Sequence, residues 1–366
     1  MRDMALVLLC AGGTGGHLFP AEALATVLTA RGHSVDLATD ERAAPFAGSF
    51  PARARHTIPS ETFRSRSPIA MAKTLTKLGL GALSAYAMLG RVKPAIVVGF
   101  GGYPTVPPLM AATWRRIPTL IHEQNAVMGR ANRLLQTRVD AIATGFPTVA
   151  AIEEAAKAKL VFTGNPVRPA VIDAAAMPYT APTDRINLLV FGGSQGARIM
   201  SDIVPPAIAA LDVALRARLS IVQQAREEDL ARVNAAYAAA GVTADVAPFF
   251  KDLPTRMARA HFVVARGGAS TVAELAVIGR PSILVPLPGA LDQDQAANAA
   301  ALERAGGAIV VRQDGLTPEN LAARLTALLS DGGALTTMAA AARASGHADA
   351  AERLADIVTG LAGRRG

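Results

Sequence analysis

The chain has few of the residues that define several protein classes. It contains one cysteine, Cys10, and one tryptophan, and aromatic residues make up only 4% of its 366 residues. A single cysteine excludes an internal disulfide and is typical of a reducing compartment. Low aromatic content beside 51% hydrophobic residues favours helices packed on parallel sheets over an aromatic-rich β-sandwich.

Other functional signatures are missing as well. No uncharged apolar stretch approaches the roughly 20 residues that a membrane-spanning helix needs. There is neither a zinc-ligand spacing nor a Gly-x-x-x-x-Gly-Lys phosphate loop. No basic run is interleaved with aromatics, which argues against nucleic acid as a partner. The net charge of +8 instead indicates phosphorylated ligands or an acidic lipid surface, with solubility alone as the alternative.

The main positive signal is a pair of glycine-rich turns, Gly12–His17 and Gly192–Gly196. Each follows a short apolar run and precedes a helical segment. Glycine lets backbone N–H groups approach an anion closely, and a helix N-terminus adds roughly half a positive charge. Two copies in two halves of the chain predict twin nucleotide-binding-type domains facing one cleft.

Strand-like runs alternate with helical segments in both halves, which predicts an α/β fold with parallel sheets. In such sheets ligands bind beyond the carboxyl ends of the strands. A proline-rich segment at 164–182 marks the linker. We therefore expect an N-terminal domain over 1–163, joined by a C-terminal helix at about 345–366, and a C-terminal domain over 164–344. The predicted strands are 5–11, 34–39, 95–99, 119–122, 187–191, 219–222, 261–265 and 282–285, and the first helix is 20–30.

Candidate residues in the first half lie at predicted strand ends. His17, in the first turn of a helix beside the glycine turn, is either a general base or a helix-capping side chain. Gly101, Gly102 and Tyr103 form either a second phosphate or acceptor loop or a tight turn. His122–Asn125 places four polar side chains after an apolar run, which is costly to bury without a polar ligand.

In the second half, Ser194 and the neighbouring N–H groups are placed to bind a diphosphate, and Arg168 in the linker is placed to clamp the same charge. Thr271 and Glu274 fit either a local capping box or a helix start whose glutamate binds ribose hydroxyls. Asp292 and Asp294 raise a metal-diphosphate alternative, which we disfavour because the glycine turns already neutralise a diphosphate.

The segment between Arg64 and Lys93 is predicted to be an amphipathic helix. Lys73, Lys77 and Leu80 fall on the outer face together with Ser84 and Met88. This mixture of cations and apolar groups suits contact with anionic lipid, although a solvated face is the alternative. The core-facing stripe is predicted to be Met71, Leu75, Leu78, Ala82, Tyr86 and Leu89.

These motifs, in this order and spacing over nearly the whole chain, resemble the MurG family of peptidoglycan N-acetylglucosaminyltransferases. The resemblance implies a GT-B fold of two Rossmann-like domains, the first binding the acceptor and the second mainly the UDP-sugar. It implies an inverting transfer from UDP-N-acetylglucosamine to the C4 hydroxyl of undecaprenyl-diphosphate-linked muramoyl-pentapeptide, lipid I, giving lipid II. It also implies a peripheral location on the cytoplasmic face of the bacterial inner membrane, and neither a metal nor another cofactor.

The resemblance further implies roles for individual residues. Arg168 and Ser194 match positions near the diphosphate, Phe250 contacts the uracil through its backbone, and Glu274 binds the ribose. One departure concerns Asp294, where some family members have a second glutamine, so only Gln295 keeps a sugar contact. The other donor-binding positions are Thr14, Gly15, Gly16, Asn125, Ala269, Ser270 and Thr271.

A base must take the acceptor's proton, and we expect His17 to do so, with Glu123 as the second candidate. Three other functions are compatible with the same motifs. A UDP-N-acetylglucosamine 2-epimerase would share the fold and the donor but use no lipid acceptor. An NAD-dependent oxidoreductase would use Asp36 or Asp40 on the ribose. A non-enzymatic sensor would bind the nucleotide sugar without turnover.

Overall fold

The computed structural model describes residues 4–12, 15–41, 50–59, 68–193, 196–289 and 294–363, and for 68–75 only the backbone. The chain divides into two compact units. Unit 1 comprises Met1–Arg168 with Ala348–Gly366, and unit 2 comprises Pro169–His347. Each unit has its own parallel sheet, so the predicted fold class of two parallel-sheet domains is confirmed.

Unit 1 contains a seven-stranded parallel sheet in the order β3-β2-β1-β4-β5-β6-β7. Central strands are buried on both faces, so they are continuous apolar runs such as Leu-Val-Leu-Leu-Cys in β1. The strands are β1 (Leu6–Cys10), β2 (Ser34–Thr39), β3 (Ala54–Thr57), β4 (Ile96–Gly99), β5 (Thr119–Glu123), β6 (Ala141–Thr144) and β7 (Leu160–Phe162).

Helices cover both faces of this sheet and form two apolar clusters. One cluster joins Leu24 of the first helix to Leu354 of the last, and the other joins Leu89 to Leu109. The helices of unit 1 are α1 (Gly15–Ala30), α2 (Pro68–Val92), α3 (Val106–Trp114), α4 (Arg130–Leu135) and α14 (Ala350–Ala362).

Unit 2 repeats the plan with six parallel strands in the order β10-β9-β8-β11-β12-β13. Its strands are β8 (Ile186–Phe191), β9 (Leu219–Gln224), β10 (Thr243–Ala247), β11 (Phe262–Ala265), β12 (Ser282–Leu284) and β13 (Ala308–Val310). Its helices are α5 (Pro169–Ala174), α6 (Arg198–Ala209), α7 (Val213–Ala217), α8 (Leu230–Ala239), α9 (Leu253–Arg259), α10 (Ala269–Ile278), α11 (Asp294–Arg304), α12 (Pro318–Leu329) and α13 (Gly332–Ala344).

The first helix starts earlier than the sequence predicted. Proline is favoured in the first turn of a helix, which suggested a start at Pro20. Helix α1 instead begins at Gly15 and holds Pro20 inside. The helix therefore starts directly from the glycine turn, and His17 lies on its first turn.

Two of the predictions for α2 are wrong: Tyr86 was assigned to the core-facing stripe and Met88 to the outer face. Tyr86 is 40% exposed, whereas Met88 is only 5% exposed. The buried side follows Ala82, Ala85 and Leu89, a spacing of three and four residues. Tyr86 lies beside this stripe, where Arg115 donates from Nε to its backbone carbonyl at 2.7 Å.

The strand order places a crevice at one position in each sheet. In unit 1 the chain runs outward on one side of β1 through β2 and on the other side through β4. In unit 2, β8 lies in the same way between β9 and β11. At such switch points the loops leaving neighbouring strands diverge and ligands bind beyond the carboxyl ends. Both glycine turns follow these central strands, β1 and β8.

Candidate functional site

In unit 1, His17 lies against the loop that follows β4. A Cβ added to Gly101 would lie 3.1 Å from Cδ2 of His17 and 3.2 Å from its Nε2. Gly101 and Gly102 have φ of +85° and +76°, a region that side chains other than glycine rarely adopt. The loop can therefore approach the imidazole only with glycines here. The structure thus brings together His17, Gly15, Gly16, Gly101 and Gly102, whereas Thr14 lies outside the described residues.

The environment of His17 keeps its imidazole neutral. Burial lowers the pKa of His17 to about 4, because a charged ring would lose its hydration there. Its Nδ1 is buried and has no hydrogen-bond partner within the described residues. A neutral imidazole at physiological pH retains the lone pair that a general base needs.

His122 is buried in a network that ties the end of β5 to the segment after β7. Its Nε2 lies 3.1 Å from the carbonyl oxygen of Gly164, and its Nδ1 lies 3.2 Å from Nε2 of Gln124. The network assigns the tautomer, since Nε2 must donate to the carbonyl and Nδ1 must accept from the amide. Burial lowers the pKa of His122 to about 4. Phe100 packs on its ring, with centroids 5.7 Å apart.

The carboxylate of Glu123 accepts hydrogen bonds at both oxygens from the loop that follows it. Oε1 accepts from the backbone N–H of Asn125 at 3.0 Å and from its Nδ2 at 3.2 Å. Oε2 accepts from the N–H of Gly129 at 2.9 Å and from Nδ2 of Asn132 at 2.8 Å. Burial raises the pKa of Glu123, and these bonds oppose the rise. In this state Glu123 shapes the loop that carries Asn125.

Sequence reasoning missed Asn132, which is 2% exposed. Its Nδ2 also lies 3.3 Å from the carbonyl oxygen of His122, so it joins α4 to the end of β5. The signal available in the sequence was weak, an asparagine between Ala131 and Arg133 in a short helix that also carries Arg130. Such a residue is buried only where its amide has partners.

Arg168 lies over the first turns of α1. Its Cζ is 4.1 Å from the ring centroid of Phe19, a distance at which a guanidinium is attracted to an aromatic face. Burial raises the pKa of the nearby Glu22, and the charge of Arg168 opposes that rise. Arg168 is thus placed on the helix that carries His17, beside residues four and seven positions after its start at Gly15.

The two acids considered for a nicotinamide cofactor, Asp36 and Asp40, have different surroundings. Asp36 is buried within β2, and its oxygens lie 2.9 Å from Nε of Arg53 and from Nε2 of His56. Burial raises the pKa of Asp36, but these two partners outweigh it and lower the value. Asp40 lies beside the glycine turn, where its Oδ1 would be 3.2 Å from a Cβ on Gly12.

In unit 2, the turn after β8 is closed tightly around its glycines. A Cβ on Gly192 would lie 2.3 Å from the backbone nitrogen of Ala197, and Gly193 and Gly196 have φ of +88° and +66°. Helix α6 follows with no side-chain cap at Ala197. The N–H of Met200 donates to the carbonyl oxygen of Ala197 at 3.0 Å, and no side-chain cap takes the N–H groups before it, which suit an external acceptor such as a phosphate. Ser194 lies outside the described residues.

The capping-box interpretation of Thr271 and Glu274 is wrong. Helix α10 begins at Ala269 after an N-cap at Gly268 that makes no side-chain cap. Thr271 is therefore inside the helix rather than at its N-cap, and a capping box needs its threonine at the N-cap. Ser270 has a buried Oγ that no described group bonds. The start of α10 is thus built from glycine and small residues, as a ligand-facing helix N-terminus requires.

The start of α11 is pressed onto the loop before α10. A Cβ on Gly267 would lie 2.5 Å from the carbonyl oxygen of Gln295, and Nδ2 of Asn298 lies 3.3 Å from the carbonyl oxygen of Gly267. Oε1 of Gln295 accepts from the backbone N–H of Leu287 at 3.0 Å. Gln295 is thereby positioned beside the N-terminus of α10. Asp292 lies outside the described residues, which hold no group of three metal-binding side chains.

Phe250 follows β10 and is 8% exposed. The guanidinium carbon of Arg256 lies 4.3 Å from its ring centroid. Arg256 is fixed in turn by Asp245 and Asp252, at 2.5 and 2.8 Å. The backbone at Phe250 is therefore held at the carboxyl edge of the unit 2 sheet, the edge that carries the turn after β8.

Comparisons with known proteins define the class. Residues 7–144 match the glycosyltransferase family 28 N-terminal domain, and residues 187–354 match the glycosyltransferase family 28 C-terminal domain. The chain belongs to glycosyltransferase family 28.

Close relatives place the chain in one branch of this family, the MurG branch. A protein of Rhodopseudomonas palustris, 61% identical over 360 residues and 98% of each chain, is named UDP-N-acetylglucosamine--N-acetylmuramyl-(pentapeptide) pyrophosphoryl-undecaprenol N-acetylglucosamine transferase. The crystal structure of Acinetobacter baumannii MurG matches with a TM-score of 0.79 and 30% identity, covering 97% of this chain and 99% of that one. The predicted membership of the MurG family and the GT-B fold are confirmed.

The fold is also shared outside this branch. A UDP-GlcNAc 2-epimerase from Neisseria meningitidis matches with a TM-score of 0.65 over 97% of this chain, but at 14% identity. Similarity at that level shows the architecture alone. The comparison therefore does not favour the epimerase alternative over the transferase.

The buried neutral state of His122 predicts a pH-dependent stability. Since its pKa is 6.5 in the reference state and about 4 in the fold, the unfolded chain binds the extra proton between these values. The free energy of unfolding should therefore fall as pH is lowered from 6.5 towards 4, by about 3 kcal/mol from this residue. We expect His122→Gln to lose that share of the pH dependence in urea unfolding at pH 7.5 and 4.5. Equal pH dependence in both proteins would contradict it.

Proposed function

We propose that this chain transfers N-acetylglucosamine from UDP-N-acetylglucosamine to the C4 hydroxyl of lipid I with inversion, giving lipid II in peptidoglycan synthesis. The observation that carries the proposal is the pair of glycine turns at the two sheet switch points, each opening onto a helix N-terminus. The names of the close relatives support the same reaction. We assign the acceptor to unit 1 and the UDP-sugar mainly to unit 2.

The chemistry follows from where charge develops. As the bond between the sugar and UDP breaks, negative charge grows on the diphosphate. Fixed backbone N–H groups at the start of α6, the dipole of that helix and the guanidinium of Arg168 stabilise this charge without reorganising. Within the proposal, Ser194 and Phe250 complete the contacts to the diphosphate and the uracil.

The ribose and sugar contacts are assigned to one neighbourhood of unit 2. Glu274 accepts from the ribose hydroxyls, and Gln295 contacts the N-acetylglucosamine. Their support is positional: Glu274 is the sixth residue of α10, and Gln295 lies beside the uncapped start of that helix, where small residues leave room for a ligand. The remaining proposed donor contacts in unit 1 are Thr14, Gly15, Gly16 and Asn125. Those in unit 2 are Ala269, Ser270 and Thr271.

The reaction class is tested by following the label of the donor. UDP-N-acetylglucosamine radiolabelled in the sugar is incubated with the protein and a lipid I analogue. We expect the label to appear in the lipid product. Label confined to epimerised nucleotide sugar would favour the epimerase, a change in nicotinamide absorbance would favour the oxidoreductase, and binding without turnover would favour the sensor.

His17 is proposed to accept the proton of the acceptor hydroxyl, and Gly101, Gly102 and Tyr103 to line the acceptor side. General-base catalysis contributes roughly 10²–10⁴-fold, so His17→Ala should lower kcat by that factor with little change in UDP affinity. Because burial lowers the pKa of His17 to about 4, the acid limb of the kcat profile should lie below pH 5. A loss under about tenfold, or an acid limb near pH 6.5, would exclude this role and leave Glu123 as the candidate.

We also propose that unit 1 contacts the cytoplasmic face of the membrane through a patch on α2 and α3. Leu80, Leu83 and Trp114 are 58%, 65% and 54% exposed, and Arg115 stacks over Tyr86 with its Cζ 3.8 Å from the ring centroid. Exposed apolar groups beside cations suit an interface with anionic lipid. Among the described helices none is long and apolar enough to cross a bilayer.

Charge reversal on α2 tests this surface. Lys73→Glu with Lys77→Glu should weaken sedimentation with anionic vesicles, because each cation near such a surface contributes about 1 kcal/mol. Added salt should weaken wild-type binding as well. The matched control is Lys157→Glu with Arg304→Glu, which makes the same change of net charge on exposed residues elsewhere. Binding that ignores both salt and the α2 reversal would contradict the proposal.

A further inference from the structure

Gln224, the last residue of β9, bridges two loops of unit 2 that the proposed function places against the donor. Its Oε1 accepts from the backbone N–H of Gly192 at 3.1 Å, and its Nε2 donates to the carbonyl oxygen of Pro248 at 3.1 Å. Gly192 opens the turn after β8, here called the diphosphate loop (192–196). Pro248 opens the segment after β10, here called the uracil loop (248–250).

The bridge uses both ends of one buried amide. Gln224 is 5% exposed, so each of its polar atoms needs a partner inside the protein. An amide is both an acceptor and a donor, and here each atom meets the group that it suits. A glutamate at this position could not donate to the Pro248 carbonyl, and a leucine would leave both backbone groups unbonded. The choice of glutamine is therefore specific to joining these two loops.

Both loops are otherwise anchored at their far sides. Gly192 of the diphosphate loop is packed against Ala197, since a Cβ on Gly192 would lie 2.3 Å from the backbone nitrogen of Ala197. The uracil loop is held at Phe250 by Arg256. Between these anchors, the pairing of β9 with β10 ends at the hydrogen bond from the N–H of Ala225 to the carbonyl oxygen of Ala247, at 3.1 Å. Beyond that bond, the side chain of Gln224 hydrogen-bonds to both loops.

We infer that Gln224 is a positioning residue that fixes the distance between the diphosphate and uracil loops, so that both ends of a uridine diphosphate are bound at once. This inference rests on the proposed function. A ligand that contacts two rigidly spaced sites gains affinity because the second contact is intramolecular. Loosening the spacing should therefore weaken UDP far more than uridine or inorganic pyrophosphate, each of which uses one loop.

The neighbouring residue offers a matched control. Gln223 is also buried, at 0% exposed, and successive residues of a strand point to opposite faces. Its Oε1 accepts a hydrogen bond from the hydroxyl of Tyr237 in α8, away from both loops. Gln223→Leu therefore removes a buried glutamine hydrogen bond from the same strand without touching the bridge.

The experiment measures the dissociation constants of UDP, uridine and pyrophosphate by calorimetry for the full chain and its variants, with thermal unfolding in parallel. For Gln224→Leu we expect UDP to bind about tenfold or more weakly, and uridine and pyrophosphate to change by less than about threefold. The KM for UDP-N-acetylglucosamine should rise in step with the UDP constant. Gln223→Leu should leave UDP affinity within about twofold of the wild-type value, even if its unfolding midpoint falls as much as that of Gln224→Leu.

The opposing results are distinct. Wild-type UDP affinity in folded Gln224→Leu, or an equal loss of UDP affinity in Gln223→Leu, would overturn the inference. If the leucine variant does not fold, Gln224→Met carries the same expectation, because an uncharged thioether of similar length cannot donate to the Pro248 carbonyl. A wild-type protein that does not bind UDP would overturn the proposed function itself, which separates the two failures.

Discussion

Close backbone packing at glycine is the constraint on which the loops at both sheet switch points depend. A backbone N–H approaches an anion most closely where no Cβ intervenes, and both switch points have glycine. In unit 2, Gly192 has no room for a side chain because the nitrogen of Ala197 would lie 2.3 Å from its Cβ. In unit 1, Gly101 lets its loop close on His17. Helix α6, which follows the turn after β8, and helix α10, which follows β11, both begin without a side-chain cap. The shape of these turns therefore resides in the backbone, and buried side chains hold that backbone in place.

Buried polar groups do most of that holding. The imidazole of His122, the amide of Gln224 and the carboxyl group of Glu123 are each at most 5% exposed. Each bonds backbone groups that belong to loops at the carboxyl edge of its sheet. A buried polar group left unpaired costs about 1–3 kcal/mol, so every such contact penalises displacement of the loop it holds. The loops are thereby fixed before a ligand arrives, which is what electrostatic stabilisation of a developing charge requires.

The features of the fold that depend on local sequence could be predicted from the sequence. Long apolar runs beside glycine turns predicted β1, β4, β5, β8 and β11 to within about a residue, because strands buried on both faces leave an unbroken apolar signal. Short strands at or near the sheet edges, such as β3 and β10, were missed, since their half-exposed residues carry only a weak alternation. The capping box at Thr271 was a plausible local pattern that tertiary structure overrode. The bridge at Gln224 could not be predicted, because it joins positions 32 and 24 residues away that meet only once the sheet has formed.

Arg266 shows how the fold retains positive charge where an anion is expected. It follows β11 and is 7% exposed, yet no described carboxylate pairs with it. Its guanidinium donates instead to the carbonyl oxygens of Val285 and Pro286, both at 3.1 Å, and to Oε1 of Gln313 at 2.7 Å. Burial lowers the pKa of Arg266, but an arginine remains charged at physiological pH. A carboxylate in this position would have cancelled the charge, whereas carbonyl oxygens satisfy the N–H groups and leave it in place. The positive field at the start of α10 thus combines a helix dipole with a buried guanidinium, and a diphosphate-bearing ligand is the chemical class that gains most from it.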